Sequence, residues 1–258
     1  MPYFTPATDP GTNFPELLKR LGLGAERVGD LGEMATPHAT TCVAIRFADG
    51  VLMAGDRRAT SGNLISHRSM EKVVPADRLS AVAIAGAAGP AMEMVKLFQL
   101  QLEHYEKVEG SPLSLEGKAN TLSAMVRQNL PAAMQGMVVV PIFAGWDVRR
   151  RLGRLFAYDV TGGRYEETDY VATGSGSLHA GTVIKLGFSA KLTKDQVITL
   201  CLKALWEAAD ADSATGGPDP LRGIYPTVAT VTAEGYAAVP DAELKTRFEA
   251  IAKKVTTK

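Results

Sequence analysis

The sequence predicts an α+β protein in which β-sheets pack on each other and helices lie outside them. Two observations carry this. The elements come in clusters, in the order strands, two helices, strands, two helices, strands, helix. That order differs from the strict strand–helix alternation of a doubly wound parallel sheet. The 258 residues are also 46% hydrophobic, enough for one large domain with a full core. There is no internal repeat of solenoid period.

Residues 1–39 stand apart. Pro and Thr recur at the start (Pro2, Thr5, Pro6, Thr8, Pro10, Thr12). One short amphipathic helix is predicted from Phe14 to about Leu23, with Asn13 as cap and Glu16 as its capping-box partner. The rest has turn chemistry, so the segment looks like an appendage. From Thr41 the pattern changes. Cys42–Phe47 and Val51–Ala54 flank an Ala48-Asp49-Gly50 turn and predict a hairpin. Glu71–Val74 and Leu79–Ala85 predict two more strands. Pro90 suits the first turn of a long helix, and a second runs from about Leu115 to Asn129, perturbed at its end by Pro131. Strands return at Met137–Phe143, Leu155–Tyr158 and Tyr170–Ala172. Helices follow at Ser177–Leu186 and Thr193–Ala211, then a hairpin at Thr227–Thr232 and Tyr236–Val239. A last helix spans Asp241–Val255, with Asp241 near its cap.

Several function classes are disfavoured. Lys+Arg and Asp+Glu balance at 28 each, so no electrostatic footprint for nucleic acid or an anionic membrane exists. No apolar run approaches the ~20 residues of a membrane span. The N-terminus lacks the basic and apolar regions of a secretory signal. Two cysteines and four scattered histidines offer no metal spacing. Gly174-Ser175-Gly176-Ser177 lacks the ending of a phosphate loop. Asp210 to Gly217 resembles a calcium loop only superficially, with Ala214 where an oxygen ligand is needed. The expectation is a cytoplasmic protein without cofactor. The basic run from Val148 to Arg154 reads as a solvated turn or a subunit contact.

The candidate chemistry starts at Thr40-Thr41. A threonine hydroxyl is a poor nucleophile until a base activates it. A free α-amine, with a pKa of about 7.7–8.0, is such a base near neutral pH. A threonine at a chain terminus therefore carries nucleophile and base in one residue. Removal of residues 1–39, ending at Ala39, would create that terminus. The plainer reading is that two threonines merely begin a strand. Three further features favour the chemistry. Asp56 ends an apolar strand. Lys72 opens the next one, and beside Thr40 it would stabilise the alkoxide while Asp56 keeps it charged. Gly86 ends another strand, where an unobstructed N–H suits an oxyanion hole. Cys42, two residues on, is a thiol candidate that strand alternation and the need for a free amine argue against.

The run from Thr40 to Ser66, with Lys72-Val73-Val74 and Ile84 to Ala91, resembles the start of a mature proteasome β-subunit of actinobacterial type. The likeness continues through Leu102–Leu113, Ala133–Gly136, Val171–Ala180 and Asp210–Thr227, and covers nearly all of residues 40–258. It implies a four-layer αββα sandwich, the N-terminal-nucleophile hydrolase fold. Residues 1–39 are then a propeptide removed by self-cleavage between Ala39 and Thr40, and residues 40–258 the catalytic domain. The resemblance makes Thr40 the nucleophile, Asp56 and Lys72 its acid and lysine, and Gly86 the oxyanion glycine. Ser175, Asp212 and Thr215 are the group around the terminal amine. Ala59, Thr60, Met70, Val74, Ile84, Ala88 and Met92 line the first specificity pocket, whose apolar character favours cleavage after large apolar residues.

The implied partners are proteasome α-subunits and other β-subunits in four stacked rings of seven, β-rings inside. A ring ATPase would feed unfolded or tagged polypeptides. Apolar surface on the two long helices would pack against neighbouring subunits. Two departures stand out: Ala39 replaces the family's usual glycine, and Thr215 its usual serine. A heat-shock peptidase would have Gly-Asp-Gly-Gln where this chain has Gly55-Asp56-Arg57-Arg58. A small-amide hydrolase and a structural α-type ring subunit compete with this reading, and the latter would lack the Thr/Asp/Lys set.

Overall fold

The computed structural model describes residues 40–256. The expected leader at 1–39 and its helix from Phe14 to Leu23 lie outside the described residues. The described chain runs β1 (Thr41–Phe47), β2 (Gly50–Gly55), β3 (Ala59–Ser61), β4 (Leu64–His67), β5 (Val73–Asp77) and β6 (Ser80–Gly86). Helices α1 (Ala88–Glu109), α2 (Leu115–Gln128) and α3 (Leu130–Ala133) follow. Then come β7 (Val139–Asp147), β8 (Leu152–Tyr158), β9 (Arg164–Glu167) and β10 (Tyr170–Gly174). Helices α4 (Ser177–Gly187) and α5 (Lys194–Ala211), the hairpin β11 (Thr227–Thr232) and β12 (Gly235–Ala238), and α6 (Asp241–Thr256) complete it.

Two five-stranded antiparallel sheets form the centre. One has the order β10-β1-β2-β11-β12, the other β5-β6-β7-β8-β9. Strand alternation decides which side chain enters which layer. Along β1, Val43, Ile45 and Phe47 pack on α4, α5 and α6, while Cys42 and Ala44 face the other sheet. Along β6, Val82 and Ile84 pack on α1 and α2, while Ala81 and Ala83 face inward. The inter-sheet core is built largely of small residues, including Ala44, Ala81, Ala83, Ala144 and Ala229. The layers are therefore helix, sheet, sheet, helix, the αββα sandwich expected. Because both faces of the central strands are buried, Val51–Ala54 and Ala81–Ala85 read as continuous apolar runs, without polar alternation.

Local chemistry sets the helix ends. Ser114 caps α2 by accepting the Gly117 N–H at 3.1 Å. Thr193 and Gln196 form a reciprocal capping box before α5. Pro131 lies just beyond α2 and opens the short separate helix α3.

Three features differ from expectation. The β3–β4 hairpin and β9 are additional strands. The hairpin turns at Gly62-Asn63, with Gly62 at φ 56°, a two-residue turn signal in short, weakly apolar flanks. The basic run divides. Val148 to Arg151 form an exposed turn, but Arg154 is buried on β8. Its guanidinium meets Asp147 at 3.0 Å, Glu116 at 2.7 Å and Glu166 at 2.5 Å. It ties the β7–β8 hairpin to β9 and α2, and stacks 4.9 Å from the Phe156 ring centre.

The α1/α2 layer is anchored by Phe143. It is fully buried, edge-on to Phe98 at 5.8 Å and stacked on Phe156 at 6.0 Å. Phe143→Ala is expected to lower stability by ~3–5 kcal/mol, from lost transfer energy plus a cavity. Urea unfolding followed by circular dichroism measures it, and a loss below ~1 kcal/mol would mean that the layer collapses freely around the site.

Candidate active site

One end of the sandwich gathers the sequence-predicted residues. β1 starts at Thr41 and pairs antiparallel with β2, with Cys42 opposite Gly55. This places Asp56, the next residue after β2, beside Thr41. The Asp56 N–H donates to the Thr41 carbonyl at 3.1 Å, and the Thr41 N–H donates to Asp56 Oδ1 at 2.9 Å. Thr40 precedes the strand and is 6% exposed. Lys72 immediately precedes β5 in the other sheet, and its carbonyl accepts from Ile84 N–H on β6 at 2.9 Å.

The two sheets meet chemically here. Lys72 Nζ donates to Asp56 Oδ1 at 2.7 Å and to the Arg58 carbonyl at 2.6 Å. Both side chains are buried, at 1% and 0% exposure. A buried ion pair survives desolvation only if its remaining polar atoms are also satisfied. Asp56 Oδ2 accepts the N–H groups of Arg58 and Gly216, each at 2.9 Å. The carboxylate thus holds one cation and three backbone donors.

Gly86 is the last residue of β6, with φ +117°. A Cβ there would come within 2.1 Å of the Val138 carbonyl oxygen, so only glycine fits. Its N–H direction follows from the pleat. The Ile84 N–H points to the β5 side, onto Lys72. Gly86, two residues on, aims its N–H to the same side, beyond the point where β5 begins. Gly86 and Thr40 line one cleft of about 580 Å³.

A third group approaches from the α4/α5 side. The Thr40 carbonyl accepts the Ser175 N–H at 3.0 Å. Gly174, at φ +97°, has no room for a Cβ against that carbonyl. Ser175 Oγ donates to Asp212 Oδ2 at 2.5 Å, and Thr215 Oγ1 donates to the same oxygen at 2.6 Å. Asp212 ends α5 as its C-cap. Partial burial pushes its carboxyl up, but donors from Ser175, Thr215 and the Ala214 N–H outweigh burial and hold it below the usual carboxylate range.

Cys42 is fully buried between the sheets, its Sγ against the Ile84 carbonyl at 3.5 Å. Burial pushes its thiol up to about 12, against the pull of Lys72. A thiol this buried and protonated is not an available nucleophile.

The cleft is lined by all seven residues expected for the specificity pocket: Ala59, Thr60, Met70, Val74, Ile84, Ala88 and Met92. It also includes Ser61, Ser66 and His67 of the β3–β4 hairpin, and Ala91, Val95, Lys96 and Gln99 of α1. The helical contributors are legible in principle, because from Ala88 they recur at spacings of three and four. The Gly62-Asn63 turn is the signal for the hairpin wall. Among the described residues, no group of three His, Cys, Asp or Glu side chains is placed to hold a metal. Nor is any helix there long and apolar enough to cross a membrane.

An αββα sandwich with a buried carboxylate–ammonium pair bridging its sheets, and a threonine at the head of an inner strand, has the architecture of an N-terminal-nucleophile hydrolase. The family model described as Proteasome subunit matches residues 36–219. The chain therefore belongs to the proteasome subunit family. It is similar to the proteasome subunit beta of Acidimicrobium ferrooxidans, at 57% identity over 95% of this chain and 90% of that one. The proteasome subunit beta of Streptomyces griseus is 59% identical over 82% of this chain and 75% of its own length. That of Jonesia denitrificans is 55% identical over 84% and 72%.

Lys72→Met is expected to destabilise the chain by about 3–5 kcal/mol, because it leaves the Asp56 carboxylate buried without its cation. Denaturant unfolding of wild type and variant measures this. A change under ~1 kcal/mol would mean that the three backbone donors alone suffice for the charge.

Proposed function

We propose that this chain is the proteolytic β-subunit of a 20S proteasome core and a threonine-type endopeptidase, with Thr40 as nucleophile. The observation that carries this is the buried Lys72–Asp56 pair held across the sheets behind the head of β1. As a proteasome β-subunit the chain is a peptide-bond hydrolase that assembles with other proteasome subunits. The α7β7β7α7 barrel of four stacked rings, the ring ATPase that feeds it and the unfolded or tagged substrates belong to the same proposal. Two free, buried thiols suit a reducing, cytoplasmic setting.

The chemistry follows from the placement. With Ala39 attached, the Thr40 nitrogen is an amide and cannot act as a base. Cleavage of the Ala39–Thr40 bond frees an α-amine. Thr40 Oγ1 then attacks the scissile carbonyl carbon, and its proton passes to that amine. Lys72 supplies positive charge for the developing alkoxide, and Asp56, 2.7 Å from its Nζ, orients it. The Gly86 N–H faces the carbonyl oxygen as it becomes an oxyanion. Collapse expels the leaving amine, which takes the proton from the Thr40 ammonium, and leaves an ester on Oγ1. Water, deprotonated by the same amine, hydrolyses the ester. The Ser175 N–H bonds the Thr40 carbonyl and the Ser175 hydroxyl bonds Asp212, which supports giving this carboxylate the task of stabilising the ammonium between steps.

Co-expression with an α-subunit is expected to yield wild-type chains beginning at Thr40, and Thr40→Ala chains that retain residues 1–39. Intact mass and N-terminal sequencing read both. Assembled wild-type rings that keep the leader would reject the threonine-protease reading in favour of a structural subunit. The cleft also predicts specificity. Peptides with a large apolar residue before the scissile bond should be hydrolysed at least about tenfold faster than those with Glu or Arg there. A fluorogenic panel preferring charged residues would overturn the assignment of Met70, Val74, Ile84, Ala88 and Met92 to that pocket.

A further inference from the structure

Thr41, the residue after the proposed nucleophile, is fully buried, yet its hydroxyl belongs to none of the groups described so far. Its hydrogen bonds have a determined direction. Thr215 has a single hydroxyl proton and donates it to Asp212 Oδ2 at 2.6 Å. In the 2.6 Å contact between Thr41 Oγ1 and Thr215 Oγ1, Thr41 must therefore be the donor. Thr41 Oγ1 in turn accepts the Gly176 N–H at 3.0 Å. A one-way chain results, from the Gly176 N–H through the Thr41 and Thr215 hydroxyls to the Asp212 carboxylate. Meanwhile the Thr41 N–H donates to Asp56 Oδ1. One residue thus touches both carboxylate systems, Asp56 through its backbone and Asp212 through its side chain.

We infer that Thr41 is a positioning residue whose hydroxyl polarises Thr215 and thereby fixes the charge and orientation of Asp212 beside the Thr40 amine. Donors in series strengthen one another, most of all in a buried, low-dielectric setting. Asp212 that stays anionic holds the Ser175 proton, which leaves the Ser175 oxygen lone pairs free to accept from the Thr40 ammonium. The same chain sets the spacing of Thr40 from Asp212, because Ser175 and Gly176 are adjacent and bond to Thr40 and Thr41 respectively. Thr215 accepts from Thr41 while donating to Asp212, so a hydroxyl at that position is required, and threonine supplies it as well as serine.

This inference rests on the proposed function, so its test has an arm that does not need catalysis. In processed, assembled enzyme, Thr41→Val removes the donor at nearly constant volume. The expectation is a fall in kcat of about tenfold, the loss that one hydrogen bond to a charged network carries, with KM unchanged. Thr41→Ser should restore kcat. In an Asp212→Asn background, Thr41→Val should have a much smaller effect, only that of the lost Gly176 acceptor, since its target charge is gone. An equal loss in both backgrounds, or an unchanged kcat, would overturn the inference. The second arm follows acid unfolding of the unprocessed Thr40→Ala chain. Asp212 is held below its unfolded pKa of about 3.9, so its stabilisation is complete above that pH and is lost as pH falls through the lower, folded value. Thr41→Val should raise the folded value and shrink that contribution when Asp212 is present, and should change nothing in the Asp212→Asn background. His179 is the titratable neighbour facing Asp212 from α4, and Arg58 binds the adjacent Ser213 carbonyl at 2.8 Å, so both stay wild type in every chain. A pH dependence that Thr41→Val leaves unmoved would count against the inference even if peptide hydrolysis itself were absent.

Discussion

The ion pair between Asp56 and Lys72 governs how the proposed active end is arranged. It joins residues from two different sheets, at a point where both are sealed from water. A pair in that position is costly unless every lone pair and proton is used. The chain uses them through backbone geometry: β1 brings the Thr41 N–H, the turn after Asp56 brings the Arg58 N–H, and the loop after α5 brings the Gly216 N–H. Each of these segments also carries or adjoins a residue of the proposed chemistry. Satisfying the buried carboxylate and assembling the site are the same structural event.

In the proposed mechanism two carboxylates serve the same threonine, and their environments separate their work. Asp56 is fully buried and bound to a cation. Asp212 is only partly covered and is held by hydroxyls and a backbone N–H. The first suits permanent charge that supports an alkoxide, the second an adjustable partner for an amine that gains and loses a proton in each cycle. The nearby thiol of Cys42 takes no part. It lies in the inter-sheet core, where burial keeps its proton on.

The site is legible wherever residue type alone imposes a requirement. Gly86 and Asp56 sit where strands end, and a glycine or a charge after an apolar run marks such an end. Lys72 is harder to read, because nothing local distinguishes a buried lysine from a solvated one. Arg154 shows the difficulty. Just after the consecutive arginines Arg149, Arg150 and Arg151 it reads as surface, yet three carboxylates from three separate segments draw it inside. The β3–β4 hairpin escapes a periodicity reading because its strands are short and largely exposed, so no hydrophobic period reveals them.

Information local to the chain was enough for the clusters of strands and helices and for the helix caps. Motif order and resemblance added the grouping of Thr40 with an acid, a lysine and a glycine. These depend on chain neighbours and on side-chain type. The three-dimensional fold alone settles which oxygens the buried charges touch, which hydroxyl donates to which, and that Thr41 reaches Asp212 through Thr215. Those contacts join residues as far as 174 positions apart, and their hydrogen-bond direction follows from the one proton each hydroxyl has to give. No local pattern encodes such a count. It exists only once the two sheets and the α4/α5 layer have brought all the partners within reach.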